Sequence, residues 1–395
     1  MRTLHLACLP FPSPQGTQAI VRAMVEALAD AGHDTHLLTY AHGALDPREG
    51  TRTDAHRRAR RDLHTRSDPH ARTAPRGVTH HRLADFPPTR SLRSGPSLSK
   101  IALDLQMILV ARRLASRVNP DLVIAHGVEA AYVARSARLS SIARTIYYAH
   151  TRFDAELPTY ATKTKRAAAP LQTLGSLLDA GASRLRTVAI TPDLAAHLAR
   201  RSSRREARVT PLLPPWSPLE PPRSDERVAA RASLELPLDA KVVLYAGNLD
   251  GYQGWEEAAD AARRANATFL VATESDPAPL APFPHLRARL ADEHDRRRAY
   301  AACDLAIVPR RAPGGLPIKL LDALARDVPV VAGPRALAGL DPRGVERADT
   351  DEAPALAVAI ERALASAPRG GRAWIEDSLA PARFIAAVAE LTRGA

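Results

Sequence analysis

Short apolar runs alternate with amphipathic helical stretches over most of the chain. In the first half, six runs have the length and composition of buried strands: Leu4–Leu9, Thr35–Thr39, Val78–Leu83, Leu122–Ala125, Thr145–Tyr148 and Thr187–Ile190. In the second half, four more do: Lys241–Ala246, Thr268–Ala272, Leu305–Pro309 and Pro329–Ala332. Strands separated by helices favour parallel sheets covered by helices. The pattern predicts an α/β fold of two doubly wound, Rossmann-like domains.

The division into domains follows from the length and from one proline-rich stretch. A chain of 395 residues is too long for one ordinary core and suits two domains of roughly 200 residues each. The segment 211–222 combines many prolines with no periodicity, which is typical of a linker. We predict an N-terminal domain over 1–215, a C-terminal domain over 216–378 and a closing helix within 379–395.

Residues 45–98 interrupt the alternation. They are rich in Arg, His, Pro and Asp. We predict a long loop or insertion in the N-terminal domain, a kind of segment that is usually functional or disordered.

A helix is predicted directly after this insertion, over 98–118. One face of it carries Ile101, Leu105, Ile108 and Ala115, and basic residues lie elsewhere. The pattern is typical of a packing helix with a solvated basic face. The alternative is an interfacial helix that lies on anionic lipid.

The charge is distributed unevenly between the two halves. Residues 1–215 carry 32 Lys+Arg against 17 Asp+Glu, a net charge of +15, whereas residues 216–395 carry 23 against 26, a net charge of −3. A positive field favours an anionic partner, such as a membrane surface or an acidic acceptor, unless the arginines only reflect compositional bias. The chain has no zinc-ligand pattern, basic heptads or aromatic-basic ribonucleoprotein motif, which argues against a nucleic-acid partner.

The expected location is the cytoplasm, with peripheral attachment to the inner face of the membrane as an option. No apolar run reaches the roughly 18–20 residues that span a bilayer, and the N-terminus leads directly into a strand pattern without a cleavage site. Cys8 and Cys303 both lie in apolar runs. We expect small core residues there and no disulfide.

The densest cluster of candidate chemistry runs from Ile307 to Val331. A strand ends at Pro309, a loop with Gly314 and Gly315 follows, and a helix is predicted to begin near Pro317. Glycines allow close approach of a ligand to the backbone, and a helix N-terminus attracts anions. With the cations Arg310 and Lys319 beside it, the loop predicts a diphosphate site. A strand–turn–helix with surface basic residues is the alternative.

This segment resembles the C-terminal signature of retaining glycosyltransferase family 4, in a form with Pro-Arg…Gly-Gly-x-Pro-x-Lys-Leu-Leu. The resemblance implies donor contacts from the Gly314–Leu316 loop (Gly314, Gly315 and Leu316) and from Asp322. Asp322 matches the second acid of the family's Glu-x7-Glu pattern, which hydrogen-bonds the ribose. Gly314 stands where the first acid is usual, so the contact between that acid and the transferred sugar is missing.

A second cluster, Val243–Gly254, ends in a Tyr-Gln-Gly sequence. It resembles the loop with which the family's C-terminal domain faces the diphosphate, and so implies donor contacts from Gly247, Asn248, Gln253 and Gly254. Most members carry Arg and Lys where this chain has Asn248 and Gln253. Neutral donors make weaker bonds to phosphate than cations do, which leaves the phosphate charge to Arg310 and Lys319.

The N-terminal half resembles the acceptor side of the same family. The loop Pro10–Gln18 is similar to the family's first loop, where Gly16 and Gln18 would lie close to the ligands. The stretch Asp121–His126 resembles a strand ending in Asp-Val-x-His-x-His, and His126 matches the second His, which faces the transferred sugar. We also expect His150, just past the next strand end, on the acceptor side.

The resemblance implies a GT-B fold, two Rossmann-like domains facing across a cleft, and a retaining hexosyltransferase-type enzyme. It would transfer a sugar from a UDP- or GDP-linked donor to a glycan, lipid-linked or small-molecule acceptor. The expected catalytic residues are His126, Arg310 and Lys319, with no metal and no cofactor besides the donor. Two alternatives stay open: a non-catalytic or regulatory sugar-nucleotide-binding protein, and a sugar-nucleotide epimerase.

Overall fold

A computed structural model describes residues 1–13, 16–41, 74–84, 86, 97–160, 165–201, 209–290 and 292–393. Side chains are described for these residues except within 160–167. Most of the predicted insertion at 45–98 therefore lies outside the described residues.

The described strands form two parallel sheets. The first contains β1 (Arg2–Ala7), β2 (Asp34–Thr39), β3 (Thr79–Arg82), β4 (Leu122–His126), β5 (Arg144–Ala149), β6 (Arg186–Ala189) and β7 (Thr210–Pro211). The second contains β8 (Val242–Ala246), β9 (Thr268–Ala272), β10 (Leu286–Ala288), β11 (Leu305–Val308), β12 (Val330–Ala332) and β13 (Val345–Arg347). Their orders are β3-β2-β1-β4-β5-β6-β7 and β10-β9-β8-β11-β12-β13.

Helices connect the strands. In the first half they are α1 (Gly16–Asp30), α2 (Leu98–Val118), α3 (Gly127–Ser136), α4 (Phe153–Glu156), α5 (Lys165–Ala182) and α6 (Pro192–Arg201). In the second half they are α7 (Ser224–Ser233), α8 (Trp255–Arg264), α9 (Glu293–Ala302), α10 (Ile318–Ala325), α11 (Pro334–Leu337), α12 (Ala353–Ala365), α13 (Gly371–Ser378) and α14 (Pro381–Arg393). None of the helices in the described ranges is both long and apolar enough to cross a bilayer.

The chain divides into two compact units after Pro215. The N-terminal unit contains the first sheet and the last helix, α14, and the C-terminal unit contains residues 216–380. Within the N-terminal unit, Arg144 Nη1 donates to the backbone carbonyl of Leu391 at 3.1 Å. The terminal helix thus packs on the unit that begins the chain.

Both sheets have the strand order of a doubly wound fold, which confirms the predicted fold class. The order reverses between β1 and β4 in the first sheet and between β8 and β11 in the second. Such a topological switch point opens a crevice at the carboxyl ends of the strands, where ligands bind. The fold therefore places one candidate site in each unit.

All ten predicted strands are present, with ends that differ by at most two residues. Three further strands, β7, β10 and β13, were not predicted. They contain only two or three residues each, and all of these except Ala288 are partly or fully exposed. A run this short and polar carries no periodicity that distinguishes it from a loop.

Small and branched aliphatic side chains fill the cores. In the C-terminal unit, Val243 and Ile307 from the sheet pack against Ala258 and Ala262 from α8. The alanines allow α8 to lie close to the strands. Cys8 is half-buried, Cys303 is buried and both are free, as expected for core cysteines.

The orientation of α2 differs from the packing interpretation. Its buried face carries Leu103, Met107, Ala111, Leu114, Ala115 and Val118. Ile101 and Leu105, which were expected to pack, are 57% and 62% exposed, and Leu98 and Leu109 are exposed beside them. The helix therefore packs, as expected, and keeps Arg112, Arg113 and Arg117 exposed, but it has two apolar faces and packs through the one with Met107 and two alanines.

Candidate functional site

The switch point of the C-terminal unit is lined by the two loops that the sequence singles out. Residues 247–254 follow β8, and residues 309–317 follow β11, its neighbour in the sheet. The backbone N–H of Arg311 donates to the carbonyl of Tyr252 at 3.1 Å. Gly254 has a φ of +72°, and a Cβ added there would lie 3.3 Å from the backbone nitrogen of Arg310. The two loops are therefore fixed against each other.

Lys319 lies where these loops meet. Its Nζ donates to Oε1 of Gln253 at 3.0 Å and lies 4.1 Å from the centroid of the Tyr245 ring. A Cβ added at Gly247, whose φ is +145°, would lie 3.2 Å from the same Nζ. The structure thus brings together three of the predicted donor-side residues.

The ammonium group of Lys319 has only neutral direct partners, because no described carboxylate lies within 4 Å of its Nζ. Burial lowers the pKa of Lys319 well below its usual value, and the positive charge of Arg310 lowers it further, while Asp250 partly opposes the shift. A phosphate oxygen would supply the missing counter-charge. This part of the site is therefore built to receive an anion.

The loop before α10 presents backbone groups to the same place. Arg310 donates from Nη1 to the carbonyl of Gly315. Gly314 lies beside the Arg310 guanidinium, where an added Cβ would lie in van der Waals contact at 3.4 Å from Cζ. Gly315 and Leu316 are buried, and α10 begins without a side-chain cap. Uncapped N–H groups at a helix start are a ready anion site.

Two predicted donor-side residues have other partners. The Asn248 side chain is exposed and donates from Nδ2 to Asp250 at 2.7 Å. Asp322 accepts from Arg326 Nη1 at 2.7 Å, and its other oxygen lies 3.4 Å from Nε of Arg296. The ribose contact of Asp322 and the phosphate contact of Asn248 stay predictions. The buried Arg326 had no signal in the sequence, where it looks like a surface residue at a helix end.

The switch point of the N-terminal unit lies between β1 and β4. Gly16 is the first residue of α1, which follows the loop after β1. The buried side chain of Gln18 donates from Nε2 to the carbonyl of Pro10 at 3.3 Å. Gln18 therefore holds the loop that was expected to lie near the ligands, and direct contact of either residue with a ligand stays a prediction.

Three histidines form a hydrogen-bonded chain at this switch point. His5 Nδ1 lies 2.9 Å from His126 Nε2, and His126 Nδ1 lies 3.0 Å from His150 Nε2. His126 and His150 were predicted as site residues, and the structure brings them together. His5 was missed, although a single histidine in the apolar run of β1 was a usable signal, because buried polar side chains need partners.

All three imidazoles are uncharged at neutral pH. Burial lowers the pKa of His5 and of His150 to about 3. Burial also lowers the pKa of His126 well below its usual value, and its two histidine neighbours lower it further. The switch point of the N-terminal unit thus offers neutral hydrogen-bond donors and acceptors, whereas that of the C-terminal unit offers cations.

A separate group, Asp154, Asp179 and His197, brings ligand atoms within 4.8 Å of one another. Both oxygens of Asp154 accept from Arg152, at 3.1 Å each, and Arg201 lies 3.6 Å from the same carboxylate. Burial raises the pKa of Asp179 to about 7. Two guanidinium groups compete with any divalent cation here, so the group fits a buried ion-pair network better than a metal site.

Family models match both units. A glycosyl transferase 4-like domain model matches residues 15–215, and a glycosyl transferases group 1 model matches residues 240–366. No curated protein sequence matches the chain.

Solved structures with similar folds cover both chains almost completely. Sucrose-phosphate synthase from Thermosynechococcus elongatus matches with a TM-score of 0.73 and 18% identity over 99% of this chain and 98% of that one. The HepE protein of Anabaena, solved with UDP and glucose, matches with a TM-score of 0.67 and 16% identity over 100% of both chains. The catalytic domain of starch synthase IV from Arabidopsis thaliana, bound to ADP and acarbose, matches with a TM-score of 0.66 and 14% identity over 99% and 98%. The chain belongs to the glycosyl transferase 4-like family and is a group 1 glycosyltransferase with the GT-B fold.

Proposed function

We propose that the C-terminal unit binds the diphosphate of a UDP- or GDP-linked sugar at the β8–β11 switch point. The observation that carries this proposal is Lys319, a half-buried ammonium held by Gln253 and the Tyr245 ring, with no direct carboxylate partner among the residues that the structure describes. Solved structures of similar fold contain UDP or ADP, which supports a nucleoside diphosphate as the ligand class.

The positive charge at this switch point suits the leaving group. When the bond between sugar and phosphate breaks, negative charge develops on the diphosphate, and fixed positive groups stabilise it. Lys319, Arg310 and the N-terminus of α10 supply that charge. We propose that the reaction therefore needs no metal ion, and that it retains the anomeric configuration of the donor.

The N-terminal unit is the proposed acceptor side. His126 and His150 lie at the carboxyl edge of its sheet and remain neutral. Neutral imidazoles orient hydroxyl groups through hydrogen bonds and do not compete for the diphosphate. This division assigns the donor to the C-terminal unit and a hydroxyl-bearing acceptor to the N-terminal unit.

Ligand-induced stabilisation tests the donor site. A nucleotide that binds only the folded protein stabilises it and so raises its melting temperature. The gain in the free energy of unfolding is about 2.7 kcal/mol at a nucleotide concentration of a hundred times Kd. We expect one of UDP, GDP, ADP and dTDP to do so for the wild type and for Lys241→Ala, an exposed lysine before β8, but not for Lys319→Ala. Equal rises in melting temperature for Lys241→Ala and Lys319→Ala would place the phosphate elsewhere.

The reaction itself is tested with the selected donor and a panel of acceptors. We expect a new glycosidic product whose anomeric proton coupling in NMR matches that of the donor, formed equally with and without EDTA. An inverted product would contradict retention, and loss of activity in EDTA would contradict metal independence. Binding without any transfer would favour the non-catalytic alternative.

We propose further that the N-terminal unit attaches to an anionic membrane through α2. The outward face of this helix carries a row of large apolar side chains: Leu98, Ile101, Leu105 and Leu109. Its basic side chains are Lys100, Arg112, Arg113 and Arg117. Its single acidic residue, Asp104, is hydrogen-bonded to Tyr40, so the charge of the helix favours an anionic lipid surface.

Vesicle sedimentation tests this surface. We expect binding to vesicles containing phosphatidylglycerol, weaker binding to pure phosphatidylcholine, and release as salt rises, since salt screens the attraction. Leu105→Gln with Leu109→Gln should weaken binding, whereas Leu238→Gln, which changes a similarly exposed leucine in the C-terminal unit, should not. Absent or salt-insensitive binding would contradict the proposal.

A further inference from the structure

The three histidines of this chain lie on a diagonal across the neighbouring strands β1, β4 and β5. Ala7 of β1 is paired with His126 of β4, and His126 is paired with Tyr148 of β5. Each successive histidine lies on the next strand or just past its end, two residues beyond the residue that is paired directly with the previous histidine. Because side chains two residues apart in a strand point to the same face, all three imidazoles lie on one face of the sheet. The chain runs from the middle of β1 to just beyond the end of β5.

The hydrogen bonds allow only two proton arrangements. A neutral imidazole carries one proton, so each ring donates through one nitrogen and accepts through the other. Both observed bonds form only if all three protons are on Nδ1 or all three are on Nε2. Any mixture sets two N–H groups or two lone pairs against each other in one of the bonds.

The two arrangements leave a proton at opposite ends of the chain. With protons on Nε2, the last N–H belongs to His5, which is fully buried and whose Nε2 has no partner among the described residues. With protons on Nδ1, the last N–H belongs to His150, whose Nδ1 likewise has no partner among the described residues but lies beyond the strand end, where the residue keeps 5% exposure. An orphaned buried N–H is rarer in proteins than an orphaned acceptor. Water or a ligand can accept from the last N–H at His150, at the carboxyl edge of the sheet, but cannot reach the fully buried His5, so the Nδ1 arrangement is favoured.

We infer that His5 is a positioning residue, whose Nδ1–H donates to His126 and holds His126 and His150 as Nδ1–H tautomers, so that the chain ends in a hydrogen-bond donor at His150. The purpose of this donor rests on the proposed function: it orients an oxygen atom of the hydroxyl-bearing acceptor at the carboxyl edge of the sheet. His5 itself touches no ligand, because it is fully buried.

The tautomers can be observed directly in the free protein. Long-range proton–nitrogen correlation spectra of the full chain labelled with [15N]histidine distinguish Nδ1–H from Nε2–H rings. We expect Nδ1–H at His5, His126 and His150, with no change between pH 5 and pH 8. His36 and His81, whose Nδ1 and Nε2 lie 3.0 Å apart in the same unit, give an internal reference. Nε2–H rings at His126 and His150 would overturn the inference.

Two matched variants test the role of His5. In His5→Asn the amide nitrogen takes the place of Nδ1 and still donates to His126, whereas His5→Phe keeps a ring but no nitrogen. We expect His5→Asn to retain the tautomers and turnover within about threefold. His5→Phe should show a new Nε2–H population at His126 and His150 and lose about tenfold in kcat, with the donor KM unchanged. Unchanged tautomers and kcat in His5→Phe would overturn the positioning role.

The proposed function and the positioning role of His5 can be contradicted independently of each other. Failure of the wild type to bind any nucleotide or form any product would contradict the proposed function, while the NMR spectra would still decide the tautomers. If His5→Phe does not fold, the wild-type spectra and His5→Asn carry the test. Nδ1–H rings that persist in His5→Asn support the inference, and their loss there contradicts it.

Discussion

The two switch points differ in chemistry although the strands beside them are ordered in the same way. At the C-terminal one, Lys319 and Arg310 lie half-buried beside a helix N-terminus, and no described carboxylate lies within 4 Å of the Lys319 ammonium. At the N-terminal one, His5, His126 and His150 lie buried and uncharged. One site thus carries positive charge, and the other has a neutral hydrogen-bond chain.

Under the proposed function, this difference lets one fold serve two ligands. The doubly wound topology fixes where the crevice lies in each unit, and the few residues at the strand ends decide what it binds. A diphosphate and a hydroxyl-bearing acceptor need opposite environments. The following predictions test whether the two environments differ as described.

The largest expected effect is that mild acid destabilises the folded protein, because the buried histidines take up protons only when the chain unfolds. In the unfolded chain His5 and His150 take up protons near pH 6.5, whereas burial keeps the folded pKa values at about 3. The stability that each buried neutral histidine contributes is therefore fully present above pH 6.5 and is lost as the pH falls toward 3. Between pH 7 and pH 5 the free energy of unfolding should fall by about 2 kcal/mol per histidine. Calorimetric unfolding should show this fall, and a smaller one in His5→Phe. An equal slope in both proteins would contradict the burial of a neutral His5.

Next in size is the effect of a methyl group at Gly247. Gly247→Ala forces a φ of +145° on a residue with a Cβ and places that atom 3.2 Å from Lys319 Nζ. Strain of this kind costs about 1–3 kcal/mol, so nucleotide affinity should fall roughly 5- to 150-fold. Gly251→Ala is the control, because an added Cβ there meets nothing within 4 Å. Equal affinities of the two variants would show that Gly247 and Lys319 do not shape the site.

A smaller effect is expected on the pH dependence of nucleotide affinity, which should fall as the pH rises. The pKa of Lys319 is lowered in the free protein, and a bound diphosphate should raise it again. Binding then takes up a proton between the two pKa values, and affinity falls as the pH rises through that window, by at most about tenfold per pH unit. Calorimetry in buffers of different ionisation enthalpy measures this uptake. Zero uptake, together with pH-independent affinity, would place the anion away from Lys319.

Asp322→Asn should have the smallest effect on binding. Its carboxylate is paired with Arg326 and Arg296, so its loss should cost about 1–2 kcal/mol of stability and change nucleotide affinity less than about threefold. Melting temperature and Kd measured on the same samples separate the two effects. A large loss of affinity at an unchanged melting temperature would support the ribose contact implied by the family resemblance.

The sequence predicted the two parallel sheets and both candidate loops because their signals are local. Buried strands such as β8 and β11 are continuous apolar runs, and the glycines at 247 and 254 mark close approaches. Short strands such as β13 lack such a signal.

What the sequence could not predict depends on contacts between distant residues. His5 and His126 are 121 positions apart, and Lys319 and Gln253 are 66 apart. The pairing of Asp322 with two arginines likewise depends on how α9 packs against α10. The face of α2 that meets the sheet was also open, because that helix has apolar residues on two sides and periodicity alone does not choose between them.

Titration of the protein with UDP, GDP, ADP and dTDP by isothermal calorimetry tests the central claim most directly. We predict selective binding of one nucleotide, weakened roughly 10- to 150-fold in Lys319→Ala, since a lost bond to a charged group costs about 1.5–3 kcal/mol. The control Lys241→Ala should bind like the wild type. Absence of binding for all four nucleotides, or equal affinity in Lys319→Ala, would contradict a donor site at the β8–β11 switch point.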